Sequence, residues 1–370
     1  MTKTHKKVAD ATALSLFIFS LAHTPQLIAR RLEFHHALHG WYQIHQRKLP
    51  WRESPSLYKT VVSEFMLQQT QVTTALPYFA RWQRELPDFA TLAAASEAKV
   101  MKLWEGLGYY SRARNLHKLA QAIANRPVPP RSPADWQELP GIGPYTAAAI
   151  TSISFSEPAA CVDGNVVRIL ARLTGEDRLF RDGSEAAKHF TPLANAMIIG
   201  SDPGTHNQAM MELGATVCFR QKPQCLICPV AGICTARKNG EPEKLPRLKP
   251  KQIEKLQLTR VWCEHRGQLL LKRGHSSAKR LAGLYELPEA SDLNLLELEN
   301  KAPLVVKRRA ITRFQITESI HQVSRTTALE KIVTGTSALE WVPLRNLETI
   351  TLSGPHKRWI SEVLASRNAK

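Results

Sequence analysis

The stretch LPGIGPYTAAAI, residues 139–150, decides the fold. Gly141 and Gly143 permit positive φ and let the backbone come close to a ligand. Pro144 suits the first turn of a helix, where no N–H is needed, and the alanine-rich run continues that helix. The N–H groups of Gly143 and Tyr145 then point at an anion, which a helix N-terminus favours. An ordinary helix-turn-helix fits a bare Gly-x-Gly equally well, so the residues around it carry the reading.

Charge supplies the first of these. The chain has 370 residues, with 50 Lys plus Arg against 32 acidic residues and a formal net charge of +18. This length predicts two or three domains, and 43% hydrophobic residues are enough for real cores. The basic excess favours polyanionic partners, nucleic acid first, over a merely solvated surface. At the N-terminus, basic MTKTHKK precedes the apolar run ATALSLFIFSLA (11–22). That order resembles a secretory signal, but no small-residue cleavage site follows it. The run is also too short to span a membrane. It is read as a non-essential extension, an upstream start, with the protein cytoplasmic and no membrane partner.

From about Glu33 to Trp136 the pattern is helical. Apolar residues recur at three and four spacings in LYKTVVSEFMLQQTQVTTALPYFARW (57–82) and SEAKVMKLWEGLGYY (96–110). RPVPPRSP (126–133) reads as a loop, and helical pattern resumes to about residue 217. TARKNGEPEKLPRLKPK (235–251) reads as a basic interdomain linker. Beyond it, LQLTRVW (256–262), QLLLKR (268–273) and FQITESIHQV (314–323) read as strands, with HRG (265–267) as a hairpin turn and SGPHKRWISEVLAS (353–366) as a closing helix. The expected fold is multidomain, an all-α domain followed by a smaller α+β domain. The expected boundaries are an extension over 1–30, a helical domain over 31–235, a linker over 236–255 and the last domain over 256–370.

Four of the six cysteines fall within 17 residues, at Cys218-x6-Cys225-x2-Cys228-x5-Cys234. So few cysteines, so gathered, point to an intracellular metal site and not a disulfide framework. Four thiolates this close hold tetrahedral zinc or an iron–sulfur cluster. A structural brace is the expected role, since no redox motif accompanies the set. Arg220 and Lys222, between the first two cysteines, are positioned to meet phosphate. Cys161 and Cys263 read as inert fillers.

Two carboxylates stand out. In CVDGNVVRILARL, Val166, Ile169, Leu170 and Leu173 make an apolar stripe, and Asp163 sits where its N-cap belongs. Capping is the plain reading. The helix dipole would also hold this carboxylate ionised, which suits a developing cation. Glu64, inside VVSEFMLQQT, has Val61 and Leu67 as helical neighbours. Apolar surroundings raise a carboxyl pKa and keep the group protonated, as a general acid needs. A protonated and an ionised carboxyl in one cleft is the arrangement that breaks a glycosidic bond. Sequence alone leaves open whether the two meet.

The order LPGIGPYT, VDGNV and the four-cysteine spacing resembles the endonuclease III, helix-hairpin-helix superfamily of DNA glycosylases. Within it, LPWR (49–52), SEFMLQQTQV (63–72), GLGYYSRARNLHK (106–118) and HNQAMMELGA (206–215) resemble the MutY-type adenine DNA glycosylases, from about residue 38 to 235. LAGLYELP (281–288) is similar to that family's Nudix-like recognition domain. The resemblance implies a [4Fe-4S] cluster on Cys218, Cys225, Cys228 and Cys234, and a monomer working in base excision repair on double-stranded DNA. Adenine mispaired with 8-oxoguanine or guanine would be flipped out and its N-glycosidic bond hydrolysed. Glu64 would protonate the adenine at N7, and Asp163 would stabilise the oxocarbenium-like sugar. Tyr145 and Asn165 would support that carboxylate and the reacting centre. Trp51, Arg52, Leu67, Val72 and Gln208 would line the adenine pocket. Gln69 and Tyr109 would wedge into the base stack, Thr70 would touch the oxidised guanine, and Gly141 and Gly143 would rest on the DNA backbone.

The same resemblance makes the enzyme monofunctional. Strand-cleaving members carry a lysine where Tyr145 stands, and tyrosine forms no Schiff base. Val167 also replaces a lysine found in some members. One departure is Ile311-Thr312-Arg313, standing where the family has a Phe-Ser-His loop that probes 8-oxoguanine. The acidic motif of true Nudix hydrolases is absent too, so no nucleotide hydrolysis is expected. The competing readings are a thymine or uracil mismatch glycosylase of the same superfamily, and a non-catalytic damage-binding protein.

Overall fold

The computed structural model describes residues 24–275, 278 and 281–368; the apolar run 11–22 lies outside them. In chain order the principal helices are α1 Arg31–His45, α2 Leu57–Leu67, α3 Val72–Glu85, α4 Ser111–Ala124, α5 Pro144–Phe155, α6 Gly164–Thr174, α7 Gly183–Met197, α8 Pro203–Thr216, α9 Thr327–Thr334 and α10 Gly354–Asn368. The strands are β1 Leu179–Phe180, β2 Arg247–Leu248, β3 Glu254–Trp262, β4 Glu264–His265, β5 Gln268–Arg273, β6 Tyr285–Glu286, β7 Val305–Ile311, β8 Phe314–Gln322 and β9 Leu339–Pro343. No helix among the described residues is long and apolar enough to cross a membrane.

The chain forms two compact units. One runs to Phe65 and resumes over Asn125–Pro250; the other joins Met66–Ala124 to the residues from Lys251 onward. The division therefore cuts across the expected domain order.

In the first unit, the stripe Val166, Ile169, Leu170 and Leu173 of α6 is buried as its spacing predicts, against Phe34, Leu38 and Tyr42 of α1 and Phe190 and Leu193 of α7. Burying each such side chain contributes about 1.5–3 kcal/mol. Helix α8 completes the core with Met210 and Leu213. Two of its glycines set the distance. A Cβ on Gly204 would meet the Ser152 carbonyl oxygen of α5 at 2.8 Å, and one on Gly214 would meet Asn165 Cβ at 2.5 Å. In the hairpin before α5, Gly141 uses positive φ (+76°), whereas Gly143 is extended and serves as the helix N-cap with Pro144 in the first turn. The stretch read as a linker is docked. Arg247–Leu248 pairs in parallel with Leu179–Phe180, and Lys249 N–H donates to the Phe180 carbonyl at 2.9 Å.

In the second unit, β3 runs parallel to β8, and β7 pairs antiparallel on the other side of β8. A second sheet carries β5 between β4, β6 and β9. The alternation of a strand decides what covers it. Leu269 and Leu271 pack with Trp359 and Ile360 of α10, while Leu270 packs with Leu329 and Val333 of α9. These strands match the expected ones, and Arg266 and Gly267 at positive φ form the expected HRG turn. Strands β7 and β9 and helix α9 complete the α+β architecture. Polar bonds explain why the 66–124 segment belongs here. Buried Glu105 accepts from Leu352 N–H at 2.8 Å and from Lys357, Tyr110 Oη donates to the Leu352 carbonyl at 3.0 Å, and Lys102 Nζ donates to the Ile350 carbonyl at 2.7 Å. The long helical run 57–82 is also broken, at Gln69, whose φ is +58°.

Candidate active site

Glu64 sits on α2 and is only 8% exposed. Burial pushes its carboxyl up to about 7, Tyr145 hydrogen-bonds to it and pulls the other way, and the nearby Asp163 charge adds to the rise. The protonated form expected from its apolar neighbours is therefore available at neutral pH. Asp163 caps α6 as its position predicts. Oδ1 accepts from the N–H groups of Asn165 and Val166, each at 2.9 Å, and Oδ2 accepts from Asn165 Nδ2 at 2.9 Å. Its pKa moves opposite to the dipole expectation. Burial raises it above the usual aspartate range, and the cap bonds and Arg168 offset this only in part. The physical reason is that the same burial that couples Asp163 to Glu64 also strips its water.

Tyr145 has a different partner from the one expected. Its hydroxyl donates to Met211 Sδ at 2.9 Å and bonds with Glu64, rather than with the Asp163 carboxylate. Asn165 does support Asp163. Its Oδ1 accepts from Arg168 at 2.9 Å, and Arg168 also donates to the Gly214 carbonyl at 2.8 Å. Val167, at the lysine position of some relatives, is buried in the core. Arg52 lies on the short helix Pro50–Glu53 beside Trp51, with its guanidinium 5.6 Å from the Tyr42 ring. Tyr42 Oη donates to Gln208 Oε1 at 3.5 Å.

Glu212 is a site residue that sequence reasoning missed. It is fully buried, and burial pushes its carboxyl up, but Arg47 and Arg52 together hold it below the usual carboxylate range. Arg47 Nε donates to Oε1 at 2.6 Å, and Arg52 donates to Oε2 at 3.0 Å. A glutamate in the apolar run QAMMELGA was the available signal, since an acid buried there needs a cation.

In the second unit, Gln69 and Tyr109 both stand at positive φ, +58° and +46°, with exposed side chains. A bulky residue held so is worth a functional reading. Buried Arg112, also missed, ties their two loops together. It donates to the carbonyls of Met66 at 2.9 Å, Gln68 at 2.5 Å, Leu107 at 3.0 Å and Gly108 at 3.0 Å, and to Thr70 Oγ1 at 3.2 Å. Leu67 and Val72 are half-buried on either side of Gln69. Further on, Thr312 is exposed at φ +52° in the β7–β8 turn, and Arg313 stacks over Phe314 and pairs with Glu254 at 2.8 Å.

The four cysteines of the 218–234 loop line one cavity together with Arg172. Buried Arg172 donates to Cys218 Sγ at 3.2 Å and to the carbonyls of Phe219 at 2.7 Å and Arg220 at 2.9 Å. Burial and the neighbouring thiols push Cys228 up to about 11. Four thiol donors lining one cavity are the ligand set that an iron–sulfur cluster takes, so the donor set fits one. Helix α6 links the two regions, with Asp163 at its start and Arg168 and Arg172 bonded to the loop. A groove of about 610 Å³ runs from Asp163 past Arg168, Arg220, Lys244 and Arg247. Cys161 and Cys263 are buried, with thiol pKa values raised by burial, as inert fillers should be.

Comparison with known proteins follows the same lines. Residues 62–193 match the HhH-GPD superfamily of base excision DNA repair proteins, and residues 218–234 match the iron–sulfur binding domain of endonuclease III. The adenine DNA glycosylase of Rattus norvegicus is 43% identical over 222 residues, covering 56% of this chain and 42% of that protein. The adenine DNA glycosylase of Arabidopsis thaliana is 34% identical over 319 residues, covering 73% of this chain and 48% of that protein. The chain thus spans about half the length of the relatives it matches. A thermostable thymine-DNA glycosylase shares the fold, with a TM-score of 0.50, 24% identity, and coverage of 57% of this chain and 98% of that one. The chain thus carries the HhH-GPD domain of base excision DNA repair proteins over residues 62–193 and the iron–sulfur binding segment of endonuclease III over residues 218–234, and is similar to adenine DNA glycosylases.

Proposed function

We propose that this chain is a monofunctional adenine DNA glycosylase acting on adenine opposite 8-oxoguanine or guanine in double-stranded DNA. The observation that carries the reading is the buried pair Glu64 and Asp163, coupled to each other, with Tyr145 bonded to Glu64. Glu64, protonated near neutral pH, gives its proton to N7 of the flipped adenine. The C1′–N9 bond then breaks and its electron pair leaves with the base. Asp163 stabilises the cationic sugar, and water adds its hydroxyl to C1′ and releases a proton. Asn165 fixes the orientation of Asp163, and Glu212 steadies Arg52 beside the base pocket. The family resemblance assigns adenine contacts to Trp51 and Gln208 in the first unit and to Leu67 and Val72 in the second. Gln69 and Tyr109 enter the stack, with Thr70 beside the opposite base, while the Gly141–Gly143 hairpin and the groove basic residues follow the phosphates.

The four cysteines hold the cluster, which braces the loop carrying Arg220 and Lys222. The chain acts as a monomer inside the cell, and its Nudix-like C-terminal part reads the opposite base through the Thr312 turn. The test uses duplexes with A opposite 8-oxoguanine, A opposite G and T opposite G, followed by alkali. Excision of adenine, lost in Asp163→Asn, supports the reading. Excision of thymine alone, no excision, or strand breaks without alkali overturns it.

A further inference from the structure

We infer that His35, His39 and His206 form a second metal site, separate from the cysteine loop, that takes a borderline divalent transition metal, zinc first. His35 and His39 are four residues apart, so α1 presents both rings on one face. His206 comes from the first turns of α8. Ring nitrogens from the three residues lie within 4.8 Å of one another. The His35 and His39 ring centroids are 3.8 Å apart, and that of His206 is 6.3 Å and 5.8 Å from them.

Hydrogen bonding supplies a second, independent observation. His35 Nδ1, His39 Nε2 and His206 Nδ1 are all buried without a hydrogen-bond partner among the described residues. Buried polar atoms are nearly always satisfied, so an unpartnered nitrogen on each of three adjoining rings calls for a shared ligand. A cation in their midst supplies it, because each neutral imidazole offers a lone pair. His206 is only 2% exposed, and burial favours its neutral, ligating form. Zinc–nitrogen bonds of about 2.0–2.1 Å need nitrogens about 3.3 Å apart, so the rings close by at most about 1.5 Å through side-chain rotation. His35 and His39 are half-buried, which leaves room for that movement and for a water as fourth ligand. Asp202, the N-cap of α8, is near enough to act on His35 and His39 electrostatically and adds a negative charge that favours a cation.

The metal would tie α1 to α8. Helix α8 also carries Gln208, Met211 and Glu212, the partners of Tyr42, Tyr145 and Arg52. The site therefore braces the helix behind the candidate active site. The site rests on the ring geometry and the unpartnered nitrogens and does not depend on the proposed activity.

The test uses the full chain with its iron–sulfur cluster intact by visible absorbance, cleared of loose metal with a chelator. Zinc is titrated against a chromophoric competitor, and the bound ion is examined by X-ray absorption. The expected result is one zinc per chain with nitrogen and oxygen neighbours at about 2.0–2.1 Å and no sulfur at about 2.3 Å. His35→Gln and His39→Gln should each weaken binding by about 100-fold or more, by analogy with lost metal-site partners. His36→Gln, an exposed neighbour, should leave it unchanged. No zinc at micromolar concentration, sulfur among its neighbours, or equal binding in the His35 and His39 variants overturns the inference. The wild-type absorption spectrum decides the matter even if a variant fails to fold.

Discussion

Replacing Glu64 with glutamine should abolish excision and stabilise the protein at the same time. Burial raises the Glu64 carboxyl from 4.5 to about 7. The folded state therefore holds this proton more tightly than the unfolded chain does. Between the two pKa values the native state binds more protons than the unfolded one, so stability falls as pH rises. The favourable contribution is full below about pH 4.5 and is lost as pH passes 7. A shift of about 2.5 units, at about 1.4 kcal/mol per unit, corresponds to a cost of roughly 3 kcal/mol once Glu64 is ionised. Glutamine has no proton to lose, so Glu64→Gln escapes this cost. Denaturant unfolding of wild type and variant at pH 5 and pH 8.5 should show their stability gap shift in favour of the variant by about 2 kcal/mol. Single-turnover excision by wild type should decline through about pH 7, as the acid is lost. A gap that does not change with pH would refute the argument that burial holds Glu64 protonated, whatever the activity of the variant.

Four other outcomes follow from the same geometry. Tyr145→Phe removes a hydrogen bond that holds the Glu64 pKa down, so the falling limb of the pH–rate profile should move to higher pH. Gly214→Ala places a Cβ 2.5 Å from Asn165 Cβ and should push Asn165 off Asp163, slowing excision by about tenfold or more while the cluster absorbance is kept. Arg112→Met orphans the carbonyls of Met66, Gln68, Leu107 and Gly108, and should cost on the order of 3 kcal/mol in unfolding experiments and expose the 66–70 loop to protease. Arg220→Ala and Arg247→Ala, in the groove beside Asp163, should each weaken DNA binding regardless of sequence and reduce the slope of log affinity against log salt by about 1.

Much of the molecule was legible because its signals are local. A glycine turn, a proline in a first turn, an aspartate before an apolar stripe and a cysteine spacing each act over a few residues. The short runs QLLLKR and FQITESIHQV likewise marked β5 and β8. The chemistry of Glu64 was also within reach, because its helical neighbours are its immediate surroundings. Strand β7, VVKRRAI, gave a weaker signal because its charged residues interrupt the apolar ones.

What tertiary structure decided are the pairings between distant residues. Arg47 and Arg52 meet Glu212 across some 160 positions, Glu105 meets Leu352 and Lys357 across some 250, and Arg112 reaches back more than 40 positions to the 66–70 loop. Tyr145 found Glu64 and Met211, and Asp163 was lifted by burial instead of held down by its helix. Three histidines, two on one helix and one on another, converge in the same way. A buried polar group must find a partner or remain uncharged, and which partner it finds depends on the close packing of helices in space. Local pattern in this sequence determined the elements and the candidate acid; packing determined which charges those elements bring together and which of them lose their water.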